Sequence, residues 1–208
     1  MSKRSAVERS ESKAMRPFFA IWTGQAFSLL GSSLVQFALV WWLTKVTGSA
    51  TVLATAAMMA LLPRVFIGPV AGALVDRWNR RSVMIIADGL IALAIVVLAV
   101  LFALDAVQIW HVYVVMFIRA VCAAFHWPAM QASTSLMVEE KHLSRVAGLN
   151  QALEGLASVA APPLGALLLE AVSMQATLVV DVATAVMAIG PLLFVRVPQP
   201  ARADSADG

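Results

Sequence analysis

The sequence predicts an all-α integral membrane protein of six transmembrane helices, and three observations carry that prediction. Of its 208 residues, 61% belong to the hydrophobic set and only 13% are charged, whereas a soluble domain carries roughly a quarter. Six continuous apolar runs can be marked, about 18–43, 51–75, 83–104, 108–130, 147–169 and 173–195, each long enough to cross a hydrocarbon core about 30 Å thick. They are rich in Ala, Leu and Gly and lack the alternation of β-barrel strands. The third observation is the placement of basic residues. With the amino end inside, Lys3, Arg4, Arg9, Lys13, Arg16, Arg77, Arg80, Arg81, Lys141, Arg145, Arg196 and Arg202 are cytoplasmic, and only Lys45 is outside, a ratio of 12 to 1. That asymmetry predicts a multi-pass protein of the cell inner (plasma) membrane with both termini cytoplasmic.

The expected organisation is a cytoplasmic tail over 1–16, a six-helix bundle over 17–196 and a disordered cytoplasmic tail over 197–208. The formal charge of +3 is accounted for by orientation in the lipid bilayer, so no nucleic-acid partner is expected. Cys122 is the only cysteine, which excludes an intrachain disulfide and a thiolate cluster. The amino-terminal segment is too charged, and the apolar run after it too long, for a cleaved signal peptide.

Helix 1 is expected to start at Pro17, since proline suits a first turn. Gln25, Ser28, Ser32 and Gln36 fall on one of its faces at three- and four-residue spacing. That face admits two readings, packing by small polar residues or the wall of a wet cavity. Trp41 and Trp42 suit the outer interface, and 47–50 reads as the outer turn. Helix 2 carries Pro63, Arg64, Gly68, Pro69 and Gly72, with Gly68 and Gly72 forming a G-x-x-x-G face. Arg64 lies twelve residues before Asp76, about 18 Å along the axis, too deep to snorkel, so it is expected to face a partner or water. Ala71–Arg81 then packs one acid and three arginines into a turn with almost no loop, the hinge of a membrane hairpin. In helix 3, Asp88 is either a buried carboxylate satisfied by the turn or a neighbouring helix, or a group that moves ions.

Helix 4 opens with the interfacial pair Trp110 and Tyr113 and presents Arg119, Cys122, Ala123 and His126 at helical spacing. A hydrogen-bonding role is expected for His126, and packing for Cys122. Residues 131–135 return the chain to the cytoplasm and 139–145 form the inner loop. Helix 5 holds Asn150 and Glu154 one turn apart, then Ala157, Ala161 and Gly165 around Pro162 and Pro163, where a bend is expected. Helix 6 carries Asp181 with Ala185 and Ala188 near the same face. Estimated depth pairs Arg64 and Arg119 with Asp181, and Asp88 with Glu154. Five intramembrane ionisable groups on five helices exceed what a scaffold requires, so a lumen or binding cleft is the default expectation. No paired-histidine zinc motif, nucleotide loop, haem arrangement or serine elbow occurs; neither an enzyme nor a cofactor is expected.

In the turn between helices 2 and 3 the chain resembles the major facilitator superfamily, whose loop carries G-x-L-x-D-R-x-G-R-R/K. Here it reads Gly72-Ala73-Leu74-Val75-Asp76-Arg77-Trp78-Asn79-Arg80-Arg81. Asn79 stands for the second glycine, a mild change because Asn also tolerates left-handed backbone. Gly24-Gln25 through Ser33, and Phe125 through Ser133, are similar to the macrolide and drug efflux branch. Arg119 matches the arginine of the proton-coupled helix 4 motif, but Cys122 and Ala123 occupy its Gln and Gly places. Ala161-Pro162-Pro163-Leu164-Gly165-Ala166 is a degenerate antiporter element.

The resemblance covers about residues 17–196 and implies the amino-terminal six-helix half of a twelve-helix fold. It further implies export of amphipathic small molecules by proton antiport. Asp76, Arg77, Arg80 and Arg81 would gate, with Gly72 in the motif. Gln25, Ser32, Gln36, Arg119 and His126 would line the cavity, and Glu154 or Asp88 would carry the proton. Because the route in such carriers lies between two halves, the chain is expected to need a second six-helix half or to self-associate. A polar face turned to lipid is costly, about 2.5–3.5 kcal/mol for each Arg. The alternative is a non-transporting fragment or membrane subunit; uptake of a sugar-like solute is disfavoured by the few aromatic and amide groups in view.

Overall fold

The computed structural model describes residues 2–195, and side chains from Met15 onward apart from Arg16. Arg196, Arg202 and the tail expected over 197–208 lie outside the described residues, as do the side chains of the basic residues before Pro17. Six helices follow one another, α1 Ser2–Thr47, α2 Ala50–Val75, α3 Arg80–Ala103, α4 Ile109–Met137, α5 Glu140–Ala171 and α6 Met174–Phe194. All six are long and apolar enough to cross a membrane, α1 from Pro17 onward.

Three boundaries differ from expectation, each for a local reason. α1 begins at Ser2 and runs through Pro17, because Lys, Arg, Ala, Glu and Met before it are strong helix formers. α4 continues through residues 131–135 to Met137. There Ser133 Oγ donates to Ala129 O at 2.7 Å, Thr134 Oγ1 to Met130 O at 2.9 Å and Ser135 Oγ to Ala132 O at 3.0 Å, so these polar side chains are satisfied by the helix itself. The inner loop expected over 139–145 shrinks accordingly: α5 starts at Glu140, with Glu139 in the N-cap position. α5 is one helix through Pro162 and Pro163.

The turns are short and capped. Gly48 takes φ +57° before Ser49 caps α2. Asn79 lies at φ −70° and ψ 107°, in extended backbone, and its side chain accepts from Ser82 N at 3.1 Å. The glycine replaced here therefore leaves no left-handed position behind; Asn79 is a helix N-cap, a role in which Asn is among the best residues.

Packing follows an internal repeat. α1 packs on α6 and α5, α4 packs on α3 and α2, α3 packs on α6, and α1 meets α4 along a narrower line. Exchanging α1, α2, α3 with α4, α5, α6 leaves this pattern unchanged, as expected of two inverted three-helix repeats. α1, α3, α4 and α6 form the centre, with α2 flanking α4 and α5 flanking α1. One apolar cluster closes the Gly48 end, built on Val35, Leu39, Leu43, Ile95, Leu98, Phe102, Met116 and Leu178. A second, with Ile21, Val75, Met84, Ala129 and Leu192, lies at the α2–α3 turn end.

The α1–α6 contact is close because of Gly24 and Gly31. A Cβ on Gly24 would sit 2.8 Å from Met187 O and 3.2 Å from Ala188 Cα, and one on Gly31 2.2 Å from Thr184 Oγ1. At Gly24 the obstacle is backbone and cannot rotate away. Gly24→Ala is therefore expected to separate the helices and destabilise the bundle by about 1–3 kcal/mol. Gly190→Ala, where a Cβ meets nothing within 4 Å, is expected to be neutral or stabilising. Thermal unfolding of purified protein in detergent measures both; equal melting points would refute the tight contact.

Candidate functional site in two buried polar layers

Between the two apolar clusters, α1 and α4 each contribute polar side chains seven residues apart, Gln25 and Ser32 on one, His126 and Arg119 on the other. Seven residues are two helical turns, about 10 Å, so the residues form two layers. Each layer is closed by one acid from the remaining central helices.

In the first layer Arg119 and Asp181 form an ion pair with both side chains buried. Ser32 Oγ donates to Asp181 Oδ1 at 2.8 Å, and Arg119 Nη2 donates to Ser32 O at 2.9 Å. α1, α4 and α6 are thus joined by a charge-balanced set in which the carboxylate accepts from two partners. In the second layer Asp88, buried on α3, accepts from Gln25 Nε2 at 3.0 Å. His126 Nε2 lies 3.4 Å from Asp88 Oδ1 and has no hydrogen bond among the described residues. Among the described residues this layer contains one acid and no permanent cation. It is the less satisfied of the two, and the only member able to balance the charge is the imidazole.

The depth pairings are therefore half corrected. Arg119 meets Asp181 as depth suggested. Arg64 does not; it is exposed on α2 and has no partner among the described residues. Asp88 meets Gln25 and His126 instead of Glu154, which is half-buried on α5 with no partner among the described residues. The helix 1 face divides likewise. Gln25 and Ser32 serve the buried acids, while Gln36 and Ser28 are half-buried and, among the described residues, make no side-chain bond to either layer.

The α2–α3 turn binds the ends of two other helices. Arg80, itself buried, donates from Nη1 to Ala132 O of α4 at 2.8 Å, and its Nη2 is 3.9 Å from Asp76 Oδ1. Arg81 donates from Nε to Leu192 O and from Nη2 to Leu193 O at 2.7 Å, capping the terminal carbonyls of α6, groups that have no partner within their own helix. Trp78 stacks on Phe125 with centroids 6.0 Å apart. Asp76 itself is exposed, with 71% of its side chain accessible, and Arg77 is exposed too. Gly72 lies one turn before Asp76, and its carbonyl accepts Asp76 N at 3.2 Å.

Two features escaped the sequence. Trp22 Nε1 donates to Asn150 Oδ1 at 2.7 Å, tying α1 to α5; an indole and an amide so far apart carry no local signal. The close α1–α6 seam did have one, the heptad spacing of Gly24, Gly31 and Ala38.

Six spanning helices around buried polar layers define a multi-pass membrane protein. Residues 21–208 match the Major Facilitator Superfamily, and the chain belongs to that family as a six-helix unit matching one half of its fold. It is 40% identical over 182 residues to macrolide efflux protein A of Streptococcus pyogenes, covering 88% of this chain and 45% of that protein. It is 39% identical over 152 residues to macrolide efflux protein A of Enterococcus faecalis, covering 73% and 47%. To multidrug efflux pump Tap of Mycobacterium bovis it is 29% identical over 164 residues, covering 75% and 38%. The chain spans less than half the length of each of these relatives.

Proposed function

We propose that this six-helix unit serves the export of amphipathic small molecules, working opposite a second six-helix unit and driven by protons moving inward. It lies in the plasma membrane with its α2–α3 turn and both termini on the cytoplasmic side, as the 12 to 1 distribution of basic residues favours. The observation that carries the reading is the 40% identity to a macrolide efflux protein along 88% of the chain. The buried layers supply a physical division of labour. Arg119 and Asp181 neutralise each other and hold α1, α4 and α6 together. Asp88 has no permanent counter-charge among the described residues and is the proposed proton carrier, with Gln25 donating to its carboxylate and His126 3.4 Å away. Glu154, half-exposed and apart from both layers, is the weaker candidate for that role. Gln36 completes the polar flank of α1.

The test is drug accumulation in a susceptible host, comparing this chain alone with the chain extended by the carboxy-terminal half of a macrolide efflux protein. The extended chain is expected to lower accumulation, and Asp88→Asn within it to return accumulation to the host level at equal protein abundance. No effect from a well-expressed extended chain would sink the export reading and leave a non-transporting membrane subunit. Unchanged export with Asp88→Asn would remove Asp88 from the coupling step.

A further inference from the structure

We infer that His126 is the relay through which a proton reaches Asp88, taking one up at Nδ1 and passing one from Nε2 to Oδ1. The inference deepens the reading above, since it rests on Asp88 being the proton carrier.

The two oxygens of Asp88 are used differently. Oδ2 accepts from Gln25 Nε2 at 3.0 Å, whereas Oδ1 faces His126 Nε2 at 3.4 Å. With Oδ2 engaged, Oδ1 is the oxygen open to a proton. Solvent reaches it poorly, because only 6% of the Asp88 side chain is accessible. His126 spans that gap. Its Nε2 is fully buried and makes no hydrogen bond among the described residues, yet 16% of its side chain is accessible. Nδ1 also has no hydrogen bond among the described residues, but it is not sealed in as Nε2 is. One ring nitrogen thus meets the buried acid and the other keeps accessible surface.

A bare Nε2 would set its lone pair against the carboxylate at a desolvated contact, so Nε2 carries a proton. The 3.4 Å separation is longer than a hydrogen bond, and such contacts are often long at rest and tighten for the transfer. In the step itself a hydrated proton binds Nδ1 as the Nε2 proton passes to Asp88 Oδ1. The acid becomes neutral, and the ring is left neutral with its proton on Nδ1. The reverse transfer, from Asp88 to Nε2 and from Nδ1 to water, discharges the acid and restores the starting tautomer.

The surrounding charged groups do not compete for this role. α1 brings the uncharged Gln25, and α6 brings Asp181, already paired with Arg119. On α3, Arg80 and Arg81 are held by carbonyls of α4 and α6. Arg64 of α2 is exposed and Glu154 of α5 half-buried, and neither has a bond or ion pair among the described residues. On α4 itself, Cys122 is buried one turn from His126, and Arg119 never gives up its proton. The place that Arg119 holds in the other layer is therefore a fixed cation, whereas an imidazole gains and loses a proton near neutral pH.

The test is a pH jump on the detergent-purified chain, followed by the infrared carbonyl band of a protonated carboxylic acid and assigned with Asp88→Asn. His126→Gln keeps a donor beside Oδ1 but cannot pass a proton through, and is expected to slow protonation of Asp88 about 100-fold. His126→Ala opens space beside Oδ1, and imidazole added to the buffer is expected to restore its rate as the concentration rises. A merely structural role would give no such rescue. Magnetic resonance of wild-type chain containing isotopically labelled histidine needs no substitution at position 126. Nε2 of His126 is expected to bear a proton while Asp88 is ionised, with its signal separated from the others by His111→Asn and His142→Asn. A wild-type rate in His126→Gln, no rescue of His126→Ala, or a bare Nε2 would each overturn the relay and leave Asp88 as the carrier. A band untouched by Asp88→Asn would instead remove Asp88 from proton uptake and sink the relay with it.

Discussion

Replacing Arg119 alone by leucine is expected to destabilise the bundle by about 3–5 kcal/mol, the largest single effect on folding in this chain. The change leaves Asp181 buried beside Ser32 with its charge uncompensated. Asp181→Leu is expected to cost a comparable amount by stranding the guanidinium. The double variant R119L/D181L should be far more stable than either single one, because a buried ion pair exchanged for apolar side chains is often neutral or better. Unfolding of detergent-purified protein, analysed as a double-mutant cycle, measures the coupling. Additive losses would show that the pair does not act as a unit. The extended chain carrying the double variant gives a further readout, since a pair that serves only to join α1, α4 and α6 is dispensable for drug export once packing is restored.

That pair also marks what was legible in the sequence. Run lengths and the positions of acids and bases fix which residues lie at one depth, so Arg119 and Asp181 could be matched before their helices were placed. Depth says nothing of rotation about the helix axis. Asp88 was matched by depth to Glu154, but α3 packs on α4 and α6 and turns the carboxylate toward Gln25 and His126. Arg64, at the same level as good partners, is directed away from them by the face α2 uses to pack on α4. The turn was legible as a basic hinge, yet the roles within it were not. Arg80 and Arg81 reach backbone carbonyls of α4 and α6, contacts between residues 52 and 111 positions apart, and carbonyl acceptors have no side-chain signature. Residues 131–145 misled because serine, threonine and charge read as loop, whereas hydroxyls bonding back to their own helix let α4 persist.

Asp76→Asn is expected to abolish drug export by the extended chain while leaving insertion and melting temperature nearly unchanged. The structural cost is small because Asp76 is 71% exposed and its ion pair with Arg80 spans 3.9 Å; an exposed contact of that kind contributes about 0–1 kcal/mol. Arg80 keeps its bond to Ala132 O without it, so the hinge stays anchored to α4. The carboxylate thus adds little to this bundle's own stability. The gate role we propose for it is that of a charge presented at the end of α2, available to an arginine or a helix N-terminus of whatever unit lies opposite and able to favour one arrangement of the two. Arg81→Ala is the informative contrast, since it uncaps the last carbonyls of α6 and is expected to lower melting temperature as well as flux. Vesicle flux and thermal unfolding on the same preparations separate the two roles. Export by Asp76→Asn at the wild-type rate, at equal protein level, would reduce Asp76 to a charge that merely helps orient the hairpin.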